Sequence, residues 1–230
     1  MTIRLHRGDL PDLSHYKDSV AIDTETMGLN PHRDRLCVVQ MSNGDGSADV
    51  IQIPKGHSDA PNLKALLANP DITKIFHFAR FDLAALYNAF GVMPQPVYCT
   101  KIASRLSRTY TDRHGLKDLV REVLNIDLSK QQQSSDWGSA SLSEAQLAYA
   151  ASDVLHLHSL RERLDAMLAR EGRTALRRPV STSCRPGQSS ISAAGRPRTS
   201  SRIRERGLLK RPISRFCPVS VTLIARVWAA

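Results

Sequence analysis

Ser19-Val20-Ala21-Ile22-Asp23-Thr24-Glu25, running on into Thr26-Met27-Gly28-Leu29, is the stretch around which this chain is organised. Val20, Ala21 and Ile22 form a short apolar run, which predicts a strand buried on both faces. Asp23 and Glu25 follow two residues apart, and an extended backbone sends alternate side chains to the same side. Gly28 then permits a turn that most residues resist. Two carboxylates converging at the end of a buried strand repel each other unless a cation lies between them. Hard, oxygen-seeking Mg²⁺ or Mn²⁺ suits such a place. A turn-capping Asp23 beside a solvated Glu25 fits the same two residues, so the rest of the chain has to decide.

Working outward, residues 1–18 read as an extended lead-in with a turn at Pro11. Residues 36–41 and 48–53 read as two further strands, and the Ser42-Asn43-Gly44-Asp45-Gly46 connection makes them a hairpin. Residues 62–67 predict a short helix and residues 73–78 the next strand. Asp82 opens a helix over 81–90 that Gly91 stops. A brief strand at 97–99 leads into helical residues 100–106. A further helix, 116–124, gathers Leu116, Leu119, Val120, Val123 and Leu124 on one face. The polar connection 129–137 is long for a plain linker. Residues 143 to about 171 predict one long helix, with Ser143 and Gln146 as a capping box and Gly172 closing it. Its buried stripe is Leu147, Val154, Leu157, Leu164 and Leu168, and Tyr149 and Asp153 lie one turn apart at the stripe's edge. Strands alternating with helices imply an α/β sheet covered by helices.

The formal net charge of +10 invites a nucleic-acid reading. Its distribution undercuts that reading. Residues 177–230 hold eleven arginines, Lys210 and one acid, Glu205, whereas residues 1–176 hold 20 basic and 21 acidic residues. The chain therefore divides into a domain over 1–176 and a basic Arg/Ser/Pro-rich tail over 177–230. A disordered arm that adds nonspecific affinity for a polyanion is one reading of the tail. The preferred one is a segment with no selected role, such as a shifted reading frame would write. Cys37, Cys99, Cys184 and Cys217 show no metal-finger spacing, and Cys37 and Cys99 read as buried thiols. The start lacks the apolar core of a signal peptide, and the apolar stretch at 219–230 is too short to span a bilayer. A soluble cytoplasmic protein with no membrane partner is the expectation.

Asp23, Glu25, Asp82 and Asp153 come from three separate elements, each beside a strongly apolar segment where an unpaired charge is costly. Four such acids can enclose a pair of divalent ions, one activating water and one stabilising a leaving oxygen, as phosphodiester cleavage requires. Here the sequence resembles the DEDD superfamily of 3′–5′ exonucleases, and ribonuclease D in particular. Asp23-Thr24-Glu25 fits the first motif, His77-Phe78-Ala79-Arg80-Phe81-Asp82 the second, and Tyr149-Ala150-Ala151-Ser152-Asp153 the third. The third motif has Tyr four before Asp, which matches the tyrosine branch. Residues 99–106 and 130–137 also look like ribonuclease D. The likeness covers about residues 19–170.

The resemblance implies a ribonuclease H-like mixed sheet with helices on both faces. It implies Asp23, Glu25, Asp82 and Asp153 as ligands of two Mg²⁺ or Mn²⁺ ions, and Tyr149 as the group that positions the attacking water. His77 and Phe81 would contact the terminal nucleotide, Met27 and Leu29 would wedge against its base, and Gln133 would reach phosphate. The expected activity is 3′–5′ hydrolysis of RNA ends to nucleoside 5′-monophosphates. The rivals are the same chemistry on DNA and a nucleic-acid binding module with an impaired site. Phe78 departs from the small or amide residue that many relatives carry, and the helical domains of longer ribonuclease D proteins do not follow. The sequence does not give the oligomeric state.

Overall fold

The computed structural model describes residues 2–30, 33–129 and 131–177. The basic tail therefore lies outside the described residues from residue 178 onward. In chain order the elements are β1 (Thr2–Arg7), β2 (Ser19–Thr26), β3 (Leu36–Ser42), β4 (Ser47–Gln52), α1 (Pro61–Ala68) and β5 (Thr73–Phe76). Then come α2 (Arg80–Phe90), β6 (Val97–Cys99), α3 (Thr100–Ser107), α4 (Leu116–Leu124), α5 (Glu144–Leu155) and α6 (Leu157–Arg170). A 3₁₀ turn, Thr174–Arg177, follows. The strands make one mixed sheet in the order β1-β4-β3-β2-β5-β6. β3 runs antiparallel to both β2 and β4, and the other neighbours are parallel. The β3–β4 hairpin turns through Gly44 and Gly46, both with positive φ.

Strand alternation sorts the core into two layers. Val20 and Ile22 of β2 join Val39, Met41, Ile51 and Phe76 against Leu63, Leu66 and Leu67 of α1 and Leu86 and Phe90 of α2. Ala21, Ala48, Ile75 and Tyr98 face the opposite way. They meet Leu119 and Val120 of α4, Ala151 and Val154 of α5 and the Leu157-Leu160-Leu164-Leu168 stripe of α6. Helices thus cover both faces, as expected of this fold class. Asp23 and Glu25 share the parity of Ala21, so β2 delivers them to the α5 side. Among the described residues, no helix is long and apolar enough to cross a membrane.

Three expectations need correction. The lead-in is not merely extended: Thr2–Arg7 is an edge strand, parallel to β4. Its alternating charges and half-exposed Leu5 hid it. Arg4 and His6 anchor it by reaching the buried Asp49 carboxylate at 2.7 Å each. The long C-terminal helix is two helices that part at His156, which stays in the right-handed region but off the regular helical values (φ −101°, ψ −5°). No proline or glycine marks the break. α5 packs on β2, β3 and β4 whereas α6 packs on α3, α4 and β5, and two docking surfaces demand two axes. The strand begun at Thr73 stops at Phe76, because Phe78 takes a left-handed φ of 68° that no strand continues. Cys37 is buried as expected, whereas Cys99 is only half-buried.

Candidate functional site

The end of β2 and the middle of α5 bring three of the four predicted acids together. Carboxylate oxygens of Asp23, Glu25 and Asp153 all lie within 4.8 Å of one another. α5 is placed by its own start. Ser143 and Gln146 form the predicted capping box, and Gln146 Nε2 also donates to Ser135 Oγ and the Asp136 carbonyl at 3.1 Å each. That bond ties the 129–137 connection to the helix and seats the buried Trp137 with its ring centroid 6.0 Å from that of Tyr149. Asp153 lies one turn beyond Tyr149 on the same helix, and the nearby phenol favours its charged form.

Asp82 stands apart from this trio. It is buried in the first turn of α2 and accepts a 2.7 Å hydrogen bond from the Thr24 hydroxyl, on the opposite face of β2 from Asp23 and Glu25. It remains close enough to act on both Asp23 and Glu25 electrostatically.

Burial and mutual repulsion push these acids up. Burial, then Asp153 and Asp82, raises Glu25 to about 8. Burial raises Asp153 to about 7 against the opposing Tyr149 hydrogen bond. Asp82 also reaches about 7, again through burial, with Thr24 opposing. Asp23 is raised well above the usual carboxylate range by burial and by the other three acids. Burial and the surrounding carboxylates raise the Tyr149 phenol too.

This has a consequence for stability without metal. Unfolded carboxyls lose their protons near pH 4, whereas the folded ones hold them to about 7–8. The resulting stability is complete below pH about 4 and is lost as pH rises through about 7–8. Thermal melts in EDTA should therefore give a Tm lower by roughly 4 °C or more at pH 8.5 than at pH 5.5, the worth of about one pKa unit. Asp153→Asn should flatten that slope, and Mg²⁺ should lift the pH 8.5 value. A Tm that is level across the window in EDTA would mean the acids do not repel one another.

The remaining predicted residues surround the acids less uniformly. Met27 and Leu29, on the loop after β2, are 54 % and 85 % exposed. Met27 leans on Gly138, where an added Cβ would meet the Met27 sulfur at 2.3 Å. Gly28 is required by close approach and not by a left-handed turn. Its φ is not positive, and a Cβ there would lie 2.4 Å from Asp34 Oδ2. The Asn30 N–H and the Arg33 guanidinium pin that carboxylate. Gly28→Ala should thus displace the loop and cost about 1–3 kcal/mol in Tm-derived stability, as overpacking does. An unchanged melt and unchanged substrate KM would remove the loop's claim to a fixed shape.

His77 follows β5, with Nδ1 2.9 Å from Thr100 Oγ1, and burial holds it near pKa 3, a neutral ring. Phe81 is half-buried in the first turn of α2. Phe78 lies under the Lys101 ammonium, 4.1 Å from its ring centroid. Gln133 is exposed on the 129–137 connection.

Sequence reasoning missed Gln40. It is fully buried in β3 opposite Asp23, and its Nε2 donates to Asp23 Oδ2 at 2.7 Å. An amide inside the apolar run 36–41 was the available signal, since a buried polar group needs a partner. Thr24, quoted within a motif but given no task, was likewise missed as the donor to Asp82.

Residues 11–169 match the sequence profile of a family described as 3′–5′ exonuclease. This chain belongs to the 3′–5′ exonuclease family. Within that family, Brucella melitensis NrnC, solved bound to pGG, is 66 % identical with a TM-score of 0.75, covering 76 % of this chain and 86 % of that one. NrnC has also been solved with bound Mg²⁺. Escherichia coli RNase D, described as an exoribonuclease involved in structured RNA processing, is 30 % identical with a TM-score of 0.62, covering 69 % of this chain and 41 % of that one. Ribonuclease D of Acidiphilium cryptum is 38 % identical over 154 residues, which are 67 % of this chain and 39 % of that protein. The chain spans about two fifths to one half of the length of the curated exonucleases it matches. The donor set fits a divalent cation: carboxylate oxygens only, mutually repelling, with no sulfur or imidazole among them.

Proposed function

We propose that this chain is a metal-dependent 3′–5′ exoribonuclease acting on RNA ends, with short RNAs down to the dinucleotide among its substrates. The observation that carries the reading is the Asp23–Glu25–Asp153 cluster, within 4.8 Å at the end of β2. The pGG bound by the 66 % identical NrnC supports a short oligonucleotide as substrate. Asp23, Glu25, Asp82 and Asp153 would hold two divalent ions, Mg²⁺ or Mn²⁺. Such ions make a bound water nucleophilic and neutralise the leaving oxygen.

The chain's own residues do the positioning. Tyr149, one helical turn before Asp153 on α5, directs the water at the last phosphodiester. The water oxygen joins phosphorus, the P–O3′ bond breaks, and the penultimate 3′-oxygen leaves and takes up a proton. The products are a nucleoside 5′-monophosphate and an RNA one residue shorter. Met27 and Leu29 offer the exposed apolar wedge for the terminal base, and Phe81 the second ring surface. His77, its Nδ1 occupied by Thr100, shapes the cleft and does not donate charge. Gln133 reaches toward phosphate from the connection. We assign the protein to the cytoplasm, where RNA ends arise.

The test uses end-labelled RNA, sequence-matched DNA and the dinucleotide pGG, each with Mg²⁺, Mn²⁺ or EDTA, products resolved by size. Stepwise 5′-monophosphate release from RNA and pGG, abolished by EDTA, is the expected result. Faster cleavage of the matched DNA would transfer the reading to a DNA exonuclease, and binding without cleavage to an impaired module.

A further inference from the structure

β3 is buried at every one of its positions, and Gln40 is the one amide among them. The β2–β3 register sets it directly across from Asp23. Its Nε2 donates to Asp23 Oδ2 at 2.7 Å, while its Oε1 is buried and has no hydrogen-bond partner among the described residues. An unsatisfied buried carbonyl weakens a fold, and an apolar side chain of equal length would remove that penalty. For the fold alone the amide is a trade, one bond to Asp23 gained against one carbonyl left unpaired.

A reason appears on the Asp23 side. A carboxylate held at one oxygen by a rigid strand neighbour cannot swing, so its other oxygen keeps one direction. We propose that Gln40 is a positioning residue for the divalent-ion site: it fixes the Asp23 carboxylate in the direction that would suit ion binding. Groups that hydrogen-bond to metal ligands orient them, and their loss typically weakens metal affinity 10–100-fold. This inference rests on the divalent-ion reading of the cluster, and the test separates the two.

Full-length chain is stripped with EDTA, dialysed, and titrated with Mn²⁺ by calorimetry, with thermal melts of the metal-free forms alongside. Gln40→Met keeps length and loses both polar atoms. Its Mn²⁺ affinity should fall about 10–100-fold, while the metal-free Tm changes little, the lost bond to Asp23 being offset by removal of the orphan carbonyl. A structural role would move the two readings together. Asp23→Asn serves as the reference for a lost ligand. If wild type binds Mn²⁺, Asp23→Asn does not, and Gln40→Met binds within about threefold of wild type, the ion reading stands and the role of Gln40 is overturned. If Gln40→Met lowers the metal-free Tm or fails to fold, Gln40 is a core residue and the inference is likewise overturned. If wild type itself takes up no Mn²⁺, the ion reading fails and takes this inference with it.

Discussion

Replacing Asp153 or Asp23 with Asn should lower single-turnover RNA cleavage by about 10³-fold or more, roughly 4 kcal/mol of barrier, with the fold intact. Asparagine keeps the shape of each side chain and removes the charge that a cation needs. The three-carboxylate cluster cannot spare a member, because its oxygens lie within 4.8 Å and share whatever ion they hold. Stability should move the other way. Asp23 is raised by burial and by Asp82, Asp153 and Glu25, so in EDTA above pH 8 removing either charge relieves repulsion and raises Tm. Loss of activity coupled to gain of metal-free stability distinguishes a ligand from a framework acid, whose removal would cost both. Either Asn variant turning over near the wild-type rate with Mg²⁺ would sink the two-metal assignment.

The convergence of these acids was legible because period-two alternation and a buried strand are strong signals. Val20-Ala21-Ile22 fixed which residues of β2 face which layer, and Asp23 and Glu25 inherited their direction from Ala21. What the sequence could not show is where tertiary contacts overrule local pattern. β1 reads as charged lead-in because its stability comes from pairing with β4 and from the Asp49 anchor, 43 or more residues away. The break at His156 has no local breaker, and only the two packing surfaces of α5 and α6 account for it. The separation of Asp82 from the trio follows from the Thr24 hydroxyl on the far face of β2, a contact between residues 58 apart in the chain. Gly28 was legible as a required glycine, but for the wrong reason: the pinned Asp34 carboxylate leaves no room for a Cβ.

Tyr149→Phe should reduce kcat by about 10²–10⁴, the usual worth of a group that handles a proton or aims the attacking water. The structure narrows how the hydroxyl earns this. Burial and the neighbouring carboxylates raise the phenol above its ordinary range, so in the metal-free chain it stays protonated. A group held protonated by that surrounding is a poor base and a good director. Phenylalanine keeps the ring beside Trp137 and the packing against Cys37 and Val38, so folding should change little. The Asp153 carboxylate itself stays in place. Mn²⁺ affinity should accordingly stay within about threefold of wild type, well short of the 10–100-fold loss that follows removal of a ligand's supporting partner. Tyr149→Ala should lose more, since it also opens a cavity in the cluster of Trp137 and Ala150 and lowers Tm. Single-turnover cleavage of a short labelled RNA by both variants, with calorimetric Mn²⁺ titrations, separates these effects. Should Tyr149→Phe cleave within about threefold of wild type when chemistry limits the rate, the hydroxyl has no part in the reaction and Tyr149 only packs.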